Sequence, residues 1–201
     1  MHAESECFAG DAGVFYGCGM ILTMPLPFPE LLPELKEGEI TLSRLLPKHR
    51  DSLMNAMQDP EIWSMHSWTD QWQPQIAMKW IDTAFSMGRC YVILKNGKIV
   101  GSSRFYDLCE SNVSIGFSFF VRSEWGSGLN GIVKSMMLRL AFAYVPQVLF
   151  KVDELNMRSR HALMKIGAVE VDEIPNHVQR SDGSWRKTVI YSISRDLKTT
   201  S

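Results

Sequence analysis

The sequence is short of most features that would take it outside ordinary globular proteins. No apolar run approaches the roughly 20 residues that cross a bilayer, so no spanning helix is expected. Residues 13–26 are fairly apolar, but they lack a basic leader, contain glycines and run into Pro25, Pro27 and Pro29, which argues against a signal peptide. Only four cysteines occur, Cys7, Cys18, Cys90 and Cys109. They have neither the C-x-x-C spacing of a metal site nor the density of a secreted disulfide scaffold, so a reducing cytoplasm is the expected compartment. Histidine offers no His-x-x-x-His pair, since His66, His161 and His177 are scattered, and no metal is expected. An excess of either charge is missing as well. A formal net charge of -1 provides no basic field for nucleic acid and no membrane-surface signal.

What remains is a chain of 201 residues, 45% hydrophobic and 21% charged. It is long enough to bury one continuous core without staples. Residues 1–37 read as an irregular N-terminal extension punctuated by Pro25, Pro27, Pro29 and Pro33, with residues 1–23 dispensable, and residues 38–198 read as one domain. Strand-like and helix-like stretches then alternate, which predicts a mixed sheet covered by helices. A strand is expected over residues 40–45. A helix from Pro47 carries Leu53, Met54 and Met57, and a second from Pro74 carries Ile76, Trp80, Ile81, Ala84 and Phe85 before Gly88. Asn96-Gly97 between two apolar runs is a hairpin signal, because both positions of the favoured two-residue turn need positive φ. Further strands are expected over 113–121, 148–152, 168–177 and 187–194, the last two joined by Ser181-Asp182-Gly183. Cys90 and Cys109 fall in expected strands without a histidine partner and read as structural thiols, not nucleophiles.

The run Trp125-Gly126-Ser127-Gly128-Leu129-Asn130-Gly131 stands between an apolar strand and a helix bearing Ile132, Val133, Met136, Met137, Leu140 and Ala141. Exposed backbone N–H groups and the positive end of the helix dipole favour a phosphate there. No Gly-Lys-Ser/Thr ending follows, so it is not a P-loop, and no acidic ribose ligand stands at the distance a dinucleotide fold needs. Asn156-x-x-Ser159 opens the next helix, directly after the next strand, and Gly167-Ala168 ends it.

In that order, from Ser114-Ile115-Gly116-Phe117 through the glycine turn to Asn156, Ser159 and the closing segment Asp182 to Ile193, the chain resembles the GNAT superfamily, and in particular its RimJ/RimL-like branch. The resemblance implies an α/β GNAT fold: a central mixed twisted sheet of about six to seven strands with helices on both faces. It implies N-acetyltransferase activity with acetyl-CoA as the acyl donor. The acceptor would be a primary amine, on a protein N-terminus or a small molecule, attacking the thioester directly in a ternary complex, and the enzyme a monomer or homodimer. The family's cofactor contacts fall here on Phe119, Phe120 and Val121, on Trp125, Gly126, Ser127, Gly128, Leu129, Asn130 and Gly131, and on Asn156 and Ser159, of which Asn156 and Ser159 are the catalytic candidates. Trp63, Trp68 and Trp72 are the candidates for lining the acceptor pocket, and packing alone is the competing role for them. Where the branch often has an acidic residue this chain has Ser114, which leaves the general base open, with His66 and His177 as candidates. It also keeps open a second reading, a silent acyl-CoA-binding sensor or partner module of the same fold.

Overall fold

The computed structural model describes residues 27–195, excluding the side chains of residues 176 and 177. Residues 1–23 therefore lie outside the described residues. The chain enters with β1 (Leu35–Glu37) and β2 (Ile40–Arg44), a hairpin at the sheet edge. Pro47 opens a short 3-10 turn that leads into α1 (Arg50–Met57), whose Leu53 and Met57 are fully buried. A second 3-10 turn, Pro60–Trp63, is capped by the Asp59 carboxylate, which accepts from the Glu61 N–H at 3.0 Å. Helix α2 (Pro74–Met87) starts with proline in its first turn, where no N–H is needed.

β3 (Cys90–Lys95) and β4 (Lys98–Tyr106) form the hairpin expected at Asn96-Gly97, where φ is 50° and 76°. β5 (Asn112–Phe120) follows, then α3 (Leu129–Ala141), β6 (Gln147–Asp153), α4 (Met157–Lys165), β7 (Val169–Gln179) and β8 (Trp185–Ser194). The eight strands form one sheet in the order β1-β2-β3-β4-β5-β6-β8-β7. All neighbours are antiparallel except β5 and β6, which α3 connects in parallel. The sheet is thus one strand wider than expected, because Leu35–Glu37 pairs with β2 although it falls in the stretch read as irregular. Three residues with no apolar alternation carry too little pattern to announce a strand. Cys109 lies in the loop between β4 and β5, not in a strand.

Strand alternation sends Tyr91 and Ile93 to one face and Val92 to the other. The first face packs on α3 through Val133, Met136 and Met137. The second packs on α1 and α2 through Leu53, Met57, Ala77 and Ile81. Phe28 and Leu32, ahead of the first strand, are also buried in the larger core, and the Phe28 ring meets Phe105 edge-on at 5.0 Å. Phe28→Ala should therefore destabilise the domain by about 3 kcal/mol. A melting midpoint within a degree of wild type would show instead that this segment is only draped on the core.

Candidate active site

β5 and β6 pair only through residues 112–114 and 147–149, and beyond that they part. The cause lies within β5. Three residues of β4, from Ser102 to Arg104, face four of β5, from Phe119 back to Gly116, so the extra residue bulges the strand. Phe117 takes the strain at φ 51°. A cleft of about 860 Å³ runs through the gap, lined by Gly116 to Phe120 on one strand and Phe150 to Asp153 on the other. It lies beyond the carboxyl ends of the two parallel strands, where open α/β sheets bind their ligands.

One end of the cleft is the glycine turn. Gly126 and Gly128 have φ of 77° and 85°, and Gly128 sits at the N-cap of α3 in the left-handed region. Within the turn the Ser127 N–H donates to Glu124 O at 3.3 Å, the Leu129 N–H to Ser127 Oγ at 3.2 Å and the Gly131 N–H to Gly128 O at 3.0 Å. The N–H groups of Gly126, Gly128 and Asn130 have no acceptor among the described residues, and all three residues line the cleft. Alternate N–H groups are thus left for an anion at a helix start. The Trp125 indole donates to Phe120 O at 3.1 Å and carries the Arg158 guanidinium 4.1 Å above its ring, so it braces the turn.

Behind the turn Lys134 of α3 is buried at 5% exposure. Its ammonium donates to Ser118 Oγ at 2.6 Å and Ser103 Oγ at 3.2 Å, with no carboxylate among its partners. Burial lowers it to about 7. Lys134 and the three free N–H groups line the same cleft, and a basic group without a carboxylate together with free donors suits a ligand that brings negative charge.

Asn156 is the N-cap of α4, its Oδ1 accepting the Ser159 N–H at 3.0 Å. Both residues line the cleft, and the Ser159 hydroxyl has no partner among the described residues. At the other end stand Trp63, His66, Ser67 and Trp68. Trp63 is buried against Phe119, with ring centroids 5.2 Å apart, and donates through its indole to Met57 O at 2.8 Å. Burial first, then repulsion from Arg158 and Arg186, lowers His66 to about 4, so its imidazole is neutral at physiological pH.

Residues 39–169 match the acetyltransferase (GNAT) domain family. The chain belongs to the GNAT acetyltransferases. No curated protein matches it in sequence. Solved structures share the fold. A GCN5-related N-acetyltransferase from Brucella melitensis superposes with TM-score 0.77 at 17% identity, over 87% of this chain and 84% of its own. Mycobacterium smegmatis RimJ in complex with CoA-disulfide gives 0.66 at 17%, covering 81% and 85%. Spermidine N-acetyltransferase from Vibrio cholerae, with CoA and spermine, gives 0.64 at 13%, covering 79% and 96%.

The GNAT cleft gathers most, but not all, of the residues singled out in the sequence. Phe119, Phe120, Trp125, Gly126, Gly128, Asn130, Gly131, Asn156, Ser159, Trp63 and Trp68 border it. Ser127 and Leu129 do not, because the Ser127 hydroxyl closes the turn onto Glu124 O at 2.8 Å and Leu129 is buried in the core. Val121 also lies off the cleft, its N–H spent on Val100 O at 2.9 Å. Trp72 stands 38% exposed outside it. His66 lines the cleft, while the His177 side chain lies outside the described residues.

Lys134, Arg158 and Arg186 were not singled out from the sequence, yet all three border the cleft. Lys134 left one trace: a lysine three residues after Gly131, inside an otherwise apolar helix face. Arg158 and Arg186 left none, because only the folded chain shows that they turn toward the cleft and form no ion pair among the described residues. Among the described residues no cluster of three His, Cys, Asp or Glu is arranged to hold a metal ion.

Proposed function

We propose that this GNAT protein is an N-acetyltransferase that moves an acetyl group from acetyl-CoA to a primary amine, on a protein N-terminus or a small molecule, in a reducing cytoplasm. The observation that carries the reading is one continuous cleft. It joins an anion-binding turn with three free N–H groups to an aromatic end at Trp63 and Trp68, through the gap between β5 and β6. Acetyl-CoA supplies the activated thioester. The chain's own residues hold and align. Gly126, Gly128 and Asn130 anchor the phosphates, the free edge of β5 beside the Phe117 bulge steers the arm toward the aromatic end, and Trp63 and Trp68 exclude water around the amine. His66, neutral and inside the cleft, takes the amine proton. A weak base suffices, because that proton becomes strongly acidic as the nitrogen bonds to carbon.

Acceptor-dependent release of free thiol from acetyl-CoA, followed with a panel of amines and peptides, tests the reading. Calorimetric binding of acetyl-CoA without thiol release for any amine would make the protein a sensor or partner module, and absence of binding would overturn the proposal altogether. Ser159 gives a narrower expectation. In this reading its hydroxyl, which lines the cleft, donates to the leaving thiolate, so Ser159→Ala should lower kcat about tenfold and leave acetyl-CoA affinity within about twofold. Identical kinetics between pH 6 and 9 would remove Ser159 from the mechanism.

A further inference from the structure

The carboxylates bordering the cleft are all engaged. Asp107 pairs with Lys151 at 2.7 Å, Glu124 with Lys95 at 3.0 Å, and Asp153 with Arg180 at 2.7 Å. Asp153 is also saturated. Its two oxygens accept from Arg180 Nε and Nη2, from Ser67 Oγ at 2.8 Å and from the Leu155 N–H at 3.0 Å. These hydrogen bonds outweigh burial and hold its carboxyl below the usual range. A polycationic acceptor would therefore meet no free carboxylate among the described residues of this cleft.

The opposite charge is in surplus. Arg186, at the start of β8, is nine-tenths buried and lines the acceptor end of the cleft beside Ser67. Its one hydrogen bond among the described residues is a long contact from Nη1 to Ser67 Oγ at 3.3 Å, and its Nε is buried without a partner. Asp153 and Glu154, with Tyr106, favour its charge electrostatically, but neither carboxylate bonds the guanidinium: Asp153 is taken by Arg180, Ser67 and Leu155, and Glu154 pairs with Arg180 at 2.8 Å. A guanidinium presents five donors in a planar fork that matches an oxyanion, and leaving it unpaired in a buried position costs free energy. Arg158 does not share this role. It stacks on Trp125 at the cofactor turn and donates to Ile62 O at 2.7 Å. His66, which also lines the cleft, feels the charge of both arginines.

We propose that Arg186 is the specificity residue for the acceptor: the amine acetylated by this enzyme carries an oxyanion, a carboxylate or phosphate, that pairs with the Arg186 guanidinium. This rests on the N-acetyltransferase reading above and narrows its acceptor to an anionic amine, unlike the polyamine of the spermidine enzyme whose fold it shares.

The test compares matched amines at saturating acetyl-CoA: 4-aminobutyrate against 1,4-diaminobutane, 5-aminopentanoate against 1,5-diaminopentane, O-phosphoethanolamine against ethanolamine, and acid against amide forms of short peptides. Thiol release gives kcat/KM, and calorimetry on the CoA-loaded enzyme gives affinity independently of turnover. At least one carboxylate or phosphate member should exceed its partner by about tenfold or more, mainly through KM, as expected for a charged hydrogen bond. The better of the carboxylate and phosphate arms identifies the anion. Arg186→Gln should erase the ratio and Arg186→Lys should keep part of it. Should Arg186→Gln fail to fold, the wild-type ratios still decide. Diamines equal to or better than the anionic members in both turnover and affinity would overturn the proposal while leaving acetyl transfer intact. No acetyl-CoA binding and no thiol release with any amine would overturn the underlying activity instead.

Discussion

Gly128→Pro should abolish the rise in melting temperature that acetyl-CoA gives the wild-type protein, with a loss of affinity of about a hundredfold or more. A ligand that binds only the native state raises its stability by mass action, so the shift reads out binding directly. Gly128 needs φ of 85° at the N-cap of α3, whereas proline fixes φ near −65° and has no N–H. The substitution thus removes one of the three free donors and turns the other two away. A graded series separates backbone shape from bulk. A Cβ on Gly128 would meet nothing within 4 Å, so Gly128→Ala costs only left-handed strain, about 1–2 kcal/mol. Gly128→Asn, which visits that region more readily, should cost less. If all three variants bind acetyl-CoA as wild type does, the turn does not hold the cofactor.

The turn was legible in the sequence because glycine there answers a backbone demand that neighbouring strand and helix patterns announce. The same holds for Asn96-Gly97, where both positive φ values were readable from the residue types. Asn156 was legible as a cap for a similar reason: a short side chain at a strand-to-helix joint can reach back to an N–H, and it does, at 3.0 Å to Ser159. What the sequence did not show is which groups are already spent. Seven successive residues of the turn looked alike as cofactor contacts, yet Ser127 and Leu129 use their N–H groups within the turn. Such pairing depends on the alternation of positive and negative φ, which a motif does not display.

The tryptophans teach the complementary point. Trp63, Trp68 and Trp72 fall within ten residues in a stretch with little regular structure, so no period distinguishes inward from outward. Trp63 packs on Phe119 and borders the cleft, Trp68 borders it while 39% exposed, and Trp72 does neither. Arg186 is harder still. Its burial follows from the β7–β8 hairpin folding back so that Ser181 N donates to Ser67 O at 3.0 Å, a contact between residues more than a hundred positions apart. Charge in a strand reads as surface until the partner loop is in place.

Lys134→Met should make the protein more stable and less active. The ammonium is buried without a counter-ion, which lowers it from the ordinary 10.5 to about 7. Between those two values the unfolded chain binds a proton that the folded chain does not, so stability rises with pH across that window. Below about pH 7 both states carry the proton and the whole burial penalty acts. Above 10.5 neither does, and the penalty is gone. At about 1.4 kcal/mol per pH unit the gap is worth up to about 5 kcal/mol, and relaxation leaves about 3 kcal/mol of it as a reasonable expectation. Methionine keeps the length and packing of the aliphatic stem. Ser103 and Ser118 also keep a partner, because their hydroxyls bond each other at 2.8 Å. At pH 6 the variant should therefore melt roughly 5–10 °C above wild type, and the advantage should shrink steadily from pH 7 towards 10. A variant less stable at pH 6 would show that the ammonium contributes to the fold. The gain in stability has a functional counterpart under the proposed function, since the substitution takes a basic group out of the cleft proposed to hold acetyl-CoA. Acetyl-CoA affinity should fall about tenfold, so that the substitution which most relieves the apo domain is one that the working enzyme cannot accept.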